Sequence, residues 1–438
     1  MSTLIESPPA PATPGSVLDQ PAPAPEGLPE WFTARRTAAW QRFQDLPLPE
    51  RTNEKWRFSR IKEASLEGFT HAAEPASLAD PHAEHVLDKA VARLAFHNGH
   101  LVSADLPENQ SGLTVMPLEQ ALRECPDLIE AHFMKSETPL GSEKFAALHE
   151  ANALSGVFIH AAKGTAPEDP VEIVHYFSGC QGAHFPHTLV VGEDNAEVTV
   201  IEHFVSLDEE SAFVIGVSDL AADGAARVRH AMLQRLSTSS KAILINTTSA
   251  GRDADAKSLL LNLGGAWVRT ESVSHVTGTG ANVNLLSASI PGTGQEFDQR
   301  TYQIHKAQHT TSDLLYKNAL FDKARTIFSG LIIVDDGAHH TDAYQTCRNL
   351  LMSDHGEAHS LPGLEIKADQ VKCSHGSTTA QIDPDTLLYL KARGIHDKTA
   401  RKLITYGFIE EVVERFGHEA AGRLLDRFIE EKFKALGA

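Results

Sequence analysis

Short apolar runs, separated by Gly, Asp, Asn and Ser, recur between residues 156 and 382. They recur about every 20 to 30 residues, a spacing that fits a stacked parallel solenoid as readily as a sandwich. Two-residue hairpin turns do not pair them evenly, which argues against an up-and-down barrel. The pattern therefore favours a β-helix over a sandwich only slightly. The clearest runs are VFIHA (157–161), VEIVHYF (171–177), EVTVIEHFV (197–205), ARVRHAML (226–233), SLLLNLG (258–264), VNLLSAS (283–289), TYQIHKA (301–307), TIFSGLIIV (326–334) and LEIKA (364–368).

Residues 31–150 show a different pattern, which predicts a small helix-rich α+β domain. Residues 91–100 are typical of a strand, an Asn-Gly turn and a second strand. Trp56 and Phe58 are predicted to anchor the preceding segment on a larger body. Helical spacing is found at 31–43, 118–122 and 140–154.

From residue 383 to residue 438 the spacing is helical. Asp383 followed by Pro384 is a helix start, and Gly394 is typical of a helix end. A second helix is predicted from Asp397 to Gly407. Two more are predicted from apolar stripes. This domain either packs on the β domain or offers a docking face to another protein. The stripes are Ile409, Val412, Val413 and Phe416, and then Ala421, Leu424, Leu425 and Phe428.

The first 30 residues contain eight prolines and neither Lys nor Arg. Such a composition predicts a disordered Pro/Ala-rich tail. A secretory signal would need a basic start and an uninterrupted apolar segment, and no stretch of the sequence reaches the length of a membrane span.

Composition narrows the class of protein. The chain has 438 residues and a formal net charge of −19, which argues against a general nucleic-acid binder. Its four cysteines are scattered and form no C-x-x-C pair, so neither a zinc ribbon nor a secreted disulfide framework is indicated. We therefore expect a protein of the reducing cytoplasm.

One stretch, residues 364–383, combines this strand pattern with candidate chemistry. Two alternating runs flank the polar corner 368–370, and the second run carries Cys373 and His375. Side chains two apart in a strand share a face, which places this thiol and imidazole about 7 Å apart along the strand. Both are suitable ligands for iron, zinc or copper(I). The alternative is that Cys373 serves only as a small core residue.

Familiar catalytic motifs are missing from the sequence. No phosphate-binding G-x-x-x-x-G-K-[ST] loop, G-x-S-x-G elbow or H-E-x-x-H pair is found, and the glycines of 277–281 are better explained as a turn between strands. His339 and His340 are adjacent and would face opposite sides of a strand. We therefore predict no ATPase, hydrolase or zincin chemistry on this chain.

Long stretches of the sequence resemble the SufB/SufD family of iron–sulfur cluster assembly proteins. The Cys-Ser-His-Gly form at 373–376 is similar to the SufD branch, whereas the SufB branch usually has Glu after the histidine and more cysteines. The resemblance covers about residues 31–433. It is carried by NEKWRFSRI (53–61), LGGAWVRTESVSHVTGTGANVNLLSA (263–288), QEFDQRTYQIHKAQHTTSDLLYKNAL (295–320), FSGLIIVDDGAHHTDAYQTCRNLLMS (328–353), SLPGLEIKADQVKCSHGSTTAQID (360–383) and LLYLKARGIHDKTARKLITYGFIEEVV (387–413).

This resemblance implies a right-handed parallel β-helix over 151–382 with helical parts on both sides. It further implies a non-catalytic scaffold subunit that pairs with a SufB-like chain through the β-helix. His375 becomes a candidate ligand of a nascent, transient iron–sulfur cluster, while Cys373 is either a ligand or structural. The resemblance implies no cofactor held stably by this chain alone, although a flavin in the complex stays open.

The resemblance also implies that the C-terminal helices dock a SufC-like ABC ATPase, which would supply the nucleotide hydrolysis that this chain lacks. Two rival hypotheses remain: a β-helix enzyme acting on acidic polysaccharide, and an adaptor whose Cys373 and His375 never meet metal. The residues expected to dock the ATPase are Leu387, Leu390, Arg393, Gly394, Ile395, Ala400, Leu403, Gly407 and Phe408.

Overall fold

Two large sheets dominate the computed structural model, which describes residues 15–72, 78, 80–84, 87–106 and 112–436. The first sheet consists, in spatial order, of β20 (Glu357–Ile366), β18 (Arg325–Val334), β16 (Glu296–His305), β14 (Trp267–Val276), β12 (Lys241–Ala250), β10 (Ala212–Ala222), β8 (Pro186–Gly192), β5 (Ser155–Ala161) and β4 (Leu113–Pro117), with β7 (Gly182–His184) and β1 (Thr70–His71) beside β10. The second sheet consists of β21 (Lys372–Gln381), β19 (Asp342–Leu351), β17 (Thr311–Leu320), β15 (Asn282–Ser289), β13 (Asp255–Asn262), β11 (Arg227–Arg235), β9 (Glu197–Ser206), β6 (Val171–Phe177), β2 (Ala92–His97) and β3 (His100–Asp105).

From β5 onward the chain passes back and forth between the two sheets as a parallel β-helix. Successive long strands alternate between the sheets, and each pairs in parallel with the corresponding strand of the turn before. The register is unbroken over the last four turns of the first sheet, from Trp267 through Glu296 and Arg325 to Glu357. This arrangement confirms the predicted β-helix and removes the sandwich alternative.

One corner of the solenoid repeats the same backbone conformation from turn to turn. A residue with positive φ recurs there, because a left-handed residue lets the chain turn sharply between two strands. Polar residues and glycine tolerate this conformation best, so the predicted polar corner 368–370 is the last member of a series. That series contains Asn195, Ala225, Asp253, Gly280, His309, His340 and Gln370.

Helices flank the two sheets. They are α1 (Glu30–Asp45), α2 (Leu118–Glu124), α3 (Pro126–His132), α4 (Glu143–Asn152), α5 (Pro384–Ala392), α6 (Asp397–Phe416) and α7 (Glu419–Ala435). Among the described residues, no helix is both long and apolar enough to cross a membrane.

The N-terminal part is continuous with the β-helix, although the pattern predicted a separate domain. β2 pairs in parallel with β6, and β4 pairs antiparallel with β5, so both sheets extend across residue 150. The predicted Asn-Gly hairpin is present, since Asn98 and Gly99 both have positive φ between β2 and β3.

The predicted anchor residues behave differently from one another. Trp56 is buried, stacks on Trp267 at 6.2 Å between ring centroids, and donates its indole N–H to the Gly141 carbonyl. Phe58 is half-exposed and has positive φ, and its ring stacks on His359 of β20 at 4.5 Å. The segment around these residues therefore reaches from the N-terminal helices to the last strand of the first sheet.

Residues 1–14 of the predicted tail lie outside the described residues, and the described chain begins at residue 15. Within residues 15–30, which were predicted to be disordered, Ser16 pairs with Thr70 and Val17 is fully buried. The Ala22 N–H also donates to the Asn152 amide oxygen at 2.7 Å. These contacts give the segment a place to bury apolar surface, which its Pro-rich composition does not reveal.

At the C-terminal end there are three helices rather than the predicted four. Gly394 and Gly417 have positive φ and follow helices, as expected of C-terminal glycines. Gly407, in contrast, lies inside α6. A helical glycine costs only about 1 kcal/mol relative to Ala, and the packing of α6 on the second sheet outweighs that cost. Of the stripe predicted for the last helix, Phe428 is buried, while Ala421, Leu424 and Leu425 lie outside the described side chains.

α6 and α7 pack against the outer face of the second sheet. Ile409, Val412 and Phe416 join Leu286 and Leu315 in one buried cluster. These helices are therefore part of the folded body, and α5 is the helical element left over.

Candidate functional site

The β-helix ends in two strands that have a neighbour on one side only. β20 pairs with β18 and β21 pairs with β19, and the other edge of each strand is unpaired within the described chain. β21 is almost entirely exposed. A long, exposed, unpaired edge is a template for another strand, so this end of the molecule is suited to pairing.

Register determines which side chains of β21 point into the solenoid. In β19 the inward positions include Ala343, Gln345 and Cys347, because Cys347 belongs to the buried cluster between the sheets. Cys373 pairs with Ala343, and His375 pairs with Gln345. Both candidate donors therefore occupy inward-facing positions of the last turn. We call Cys373, His375 and Ser377, three inward positions of β21, the mouth.

Cys373 and His375 meet solvent differently. Cys373 is half-buried and packs beside Ile332, Val334 and Ala343. Burial raises the pKa of its thiol, although the Ala343 N–H partly opposes that rise. His375 is exposed. Since metals bind the thiolate, coordination by Cys373 would release a proton, and the imidazole is the more accessible donor.

A second thiol lies one strand inside the mouth. Cys347 is fully buried, near Asn318, Asn349 and Ser360, and burial raises its pKa to about 12. Cys347 pairs with Ser377 of the last strand, so after Cys373 it is the thiol nearest to the open end of the β-helix. Sequence analysis did not select it, and its alternation with buried residues of β19 was the only signal. A thiol this buried and protonated is inert toward metals.

The late histidines do not gather into a metal site. His340 stacks its ring on His309 at 4.6 Å, since both occupy the repeated corner. The His339 Nδ1 lies 3.1 Å from the carbonyl oxygen of Asp369. His305 is buried against Thr310, and burial lowers its pKa to about 4. Over the described residues, no three or more His, Cys, Asp or Glu side chains are arranged to hold a metal ion. The mouth thus offers an incomplete donor set.

α5 is the exposed element of the C-terminal part. None of its residues is buried, and Leu388 and Tyr389 are 64% and 57% exposed. Leu403, in the second turn of α6, is 51% exposed. A helix that leaves large apolar side chains in solvent is typical of a protein-interaction surface.

The predicted docking residues divide into two groups. Leu387, Leu390, Arg393, Gly394, Ile395, Leu403 and Gly407 are exposed or half-exposed, as docking would require. Ala400 is fully buried, and Phe408 packs against the core with the Lys317 ammonium over its ring. The helical spacing that selected these two residues reflects packing within the chain: Ala400 is closed to solvent, and Phe408 is only partly exposed.

Fold and site define a parallel β-helix that is open at one end, with a thiol and an imidazole at the mouth. Comparison with known proteins agrees. The family model described as "SUF system FeS cluster assembly, SufBD core domain" matches residues 175–408, and the model described as "SufBD protein N-terminal region" matches residues 25–173.

Individual relatives point the same way. The chain is 31% identical over 395 residues to the iron-sulfur cluster assembly protein SufD of Escherichia coli (strain K12), which covers 88% of this chain and 90% of the relative. It is 28% identical over 422 residues to SufD of Bacillus subtilis (strain 168), which covers 93% and 95%. The chain belongs to the SufBD family of iron–sulfur cluster assembly proteins, and this confirms the resemblance found in the sequence.

Proposed function

We propose that this chain is a non-catalytic scaffold subunit, which pairs through its last turn with a SufB-like chain and docks a SufC-like ABC ATPase through α5. The observation that carries the proposal is the open mouth. It combines two unpaired strand edges with two inward-facing donors, so that a partner seated on the edges would close over Cys373 and His375. The cluster is the cargo of this site, and the partner completes its ligand set.

Strand addition explains the pairing. β20 and β21 each present ten residues whose backbone groups face solvent on one side. A partner with a matching β-helix end would continue both sheets and satisfy these groups at once. A second copy of this chain suits these strand edges less well than a SufB-like partner, because two chains of net charge −19 repel each other.

An incomplete donor set suits a scaffold. Imidazole ligation holds iron–sulfur centres less firmly than a full set of thiolates, and a scaffold must release its product. His375 is the exposed donor and is therefore the proposed primary ligand, with Cys373 as a candidate second.

The pairing is tested by changing one outward-facing N–H of the last strand. The Lys372 N–H donates to the Thr341 carbonyl of the previous turn, so alternation points the N–H of Ser377 away from β19. Ser377→Pro removes that donor and should reduce affinity for the SufB-like partner about tenfold or more, because proline is tolerated at a free edge but not in a paired strand.

Ser377→Ala keeps the N–H and is the matched control, which should bind like wild type. Affinity of the purified chains would be measured by calorimetry, after circular dichroism has shown that both variants are folded. Equal affinities of Ser377→Pro and wild type would show that the partner does not add a strand to β21.

A further inference from the structure

A file of polar side chains runs along the inside of the β-helix. Register places Thr188, Ser218, Asn246, Ser272 and Thr301 in one column of the first sheet, one residue per turn. All five are buried. A β-helix interior is usually filled by apolar side chains, as in the buried cluster that includes Val200, Val228 and Val283, so a polar column requires an explanation.

The inner end of the file is a buried carboxylate. Thr188 donates its hydroxyl to the Glu202 carboxylate at 2.6 Å, and Ser218 lies 3.5 Å from it. The same carboxylate receives the Nε2–H groups of His175 and His230 at 3.0 and 2.8 Å. Glu202 is therefore a charged group held deep inside the solenoid by four donors.

The outer end of the file reaches the mouth. Gly330 follows Thr301 in the column, and its missing side chain leaves space for the Gln345 amide from the opposite sheet. A Cβ on Gly330 would lie 2.1 Å from the Gln345 Nε2 and 2.7 Å from the Thr301 hydroxyl. Gln345 pairs in turn with His375.

Many buried polar atoms along this route have no hydrogen-bond partner within the described chain. A buried polar group without a partner destabilises the folded state, so a native interior does not collect a row of them. They occupy the file and the two columns on either side of it, together with the facing Gln345. They are Asn246 Nδ2, Thr270 Oγ1, Ser274 Oγ, Gln299 Oε1, Thr301 Oγ1, Gln303 Oε1, and Gln345 Nε2 and Oε1.

Water is the ligand that fits these atoms. Buried water molecules bind where two to four polar groups converge. Turns of a β-helix are about 4.8 Å apart, and a water that makes hydrogen bonds of about 2.8 Å to two successive turns spans that distance. The file and its neighbouring columns contain no cationic side chain, so the route suits small neutral molecules rather than anions.

We propose that the interior of the β-helix is a water-filled passage that leads from the mouth at His375 to the buried Glu202. It is a binding site for a continuous file of water molecules, one or more per turn, which satisfies the unpaired amides and hydroxyls. Such a passage would be present whether or not the chain assembles clusters.

The test is nuclear Overhauser transfer from water to methyl groups in the full-length chain, with threonine and valine methyls labelled. The passage predicts cross-peaks at Thr270 and Thr301, whose hydroxyls face the file, and none at Val228, an equally buried residue of the apolar cluster. Exposed Thr399 serves as the positive control. Absence of both interior cross-peaks, with Thr399 giving one, would overturn the proposal.

Continuity is tested separately with Thr301→Val, which removes one hydroxyl and keeps the shape of the side chain. If the waters form one file, the cross-peak at Thr270 in the neighbouring column should weaken at least twofold. An unchanged Thr270 cross-peak would show isolated waters instead of a passage.

Discussion

At the scale of single residues, the interior near the mouth depends on the missing side chain of Gly330 as well as on the buried amide of Gln345. Gln345 is buried directly beside His375, and its amide occupies the space that Gly330 leaves open. The predicted pairing of Cys373 with His375 could be read from the alternation of one strand. The roles of Gly330 and Gln345 could not, because they depend on which strands face each other across the solenoid.

Gly330→Ala should therefore destabilise the last turns and displace the Gln345 amide. Overpacking of this kind costs about 1 to 3 kcal/mol. The free energy of unfolding from denaturant titration would measure it. Gly376→Ala is the matched control, since a Cβ there meets nothing within 4 Å. Equal stabilities of the two variants would mean that the Gln345 amide has other space to occupy.

His184 makes the fold sensitive to acid. Its ring is buried against Phe177, neither ring nitrogen has a partner in the described chain, and burial lowers its pKa to about 3. In the unfolded chain His184 binds a proton below about pH 6.5, whereas in the folded chain it does not. The free energy of unfolding is therefore full above that pH and falls as the pH drops toward 3. At pH 5 protonation of His184 in the unfolded chain should lower the free energy of unfolding by about 2 kcal/mol.

His184→Leu should remove that dependence. The loss in free energy of unfolding between about pH 7 and pH 5 is expected to be about 2 kcal/mol smaller than in wild type. Exposed His355→Asn is the control and should leave the loss unchanged. If His184→Leu lost as much stability as wild type, the buried imidazole would have to be protonated in the folded chain.

At the scale of elements, local signals predicted the ends of strands and helices better than their grouping. Asp383 and Gly394 bound α5 as predicted, because capping is a local interaction. Gly407 failed as a helix end, since the packing of α6 on the second sheet overrides a weak local preference. Several strands, such as 212–222, were not recognised, because both of their faces are covered and their sequence does not alternate.

The C-terminal helices differ in how they pack on the rest of the chain. α6 and α7 cover apolar residues of the second sheet, including Leu259, Leu286 and Leu315. Removing residues 383–438 would uncover this face and damage the fold along with any docking. A change confined to α5 therefore tests docking more cleanly than a truncation.

Leu388→Glu places a charge at the most exposed apolar side chain of α5. We expect at least a tenfold loss of affinity for the ATPase, because a desolvated apolar contact is replaced by a charge, and little change in stability. Pull-down and calorimetry with the purified ATPase would measure the effect. Thr52→Glu adds the same charge at an exposed distant site and should bind normally. Normal binding by Leu388→Glu would place the ATPase elsewhere.

At the scale of the whole molecule, the two ends of the solenoid differ. The N-terminal end finishes in two shorter antiparallel edge strands, β3 and β4, whereas the C-terminal end presents two parallel edge strands of ten residues each. The longer free edges therefore lie at the end that carries Cys373 and His375. The overall architecture followed from repeated strand patterns and family resemblance. The sequence alone could not predict that the free edges, the two donors and the polar interior meet at one end, because this depends on the register of all the turns.

The central claim is that His375 helps to hold a nascent cluster in the assembled complex. The most direct measurement is anaerobic iron and sulfide content after cluster formation on the complex of this chain with a SufB-like protein and the ATPase. His375→Ala should lower the cluster yield severalfold while the complex stays intact, and Ser374→Ala, on the opposite face of the same strand, should match wild type. An intact His375→Ala complex that forms clusters with the normal yield and rate would contradict the account.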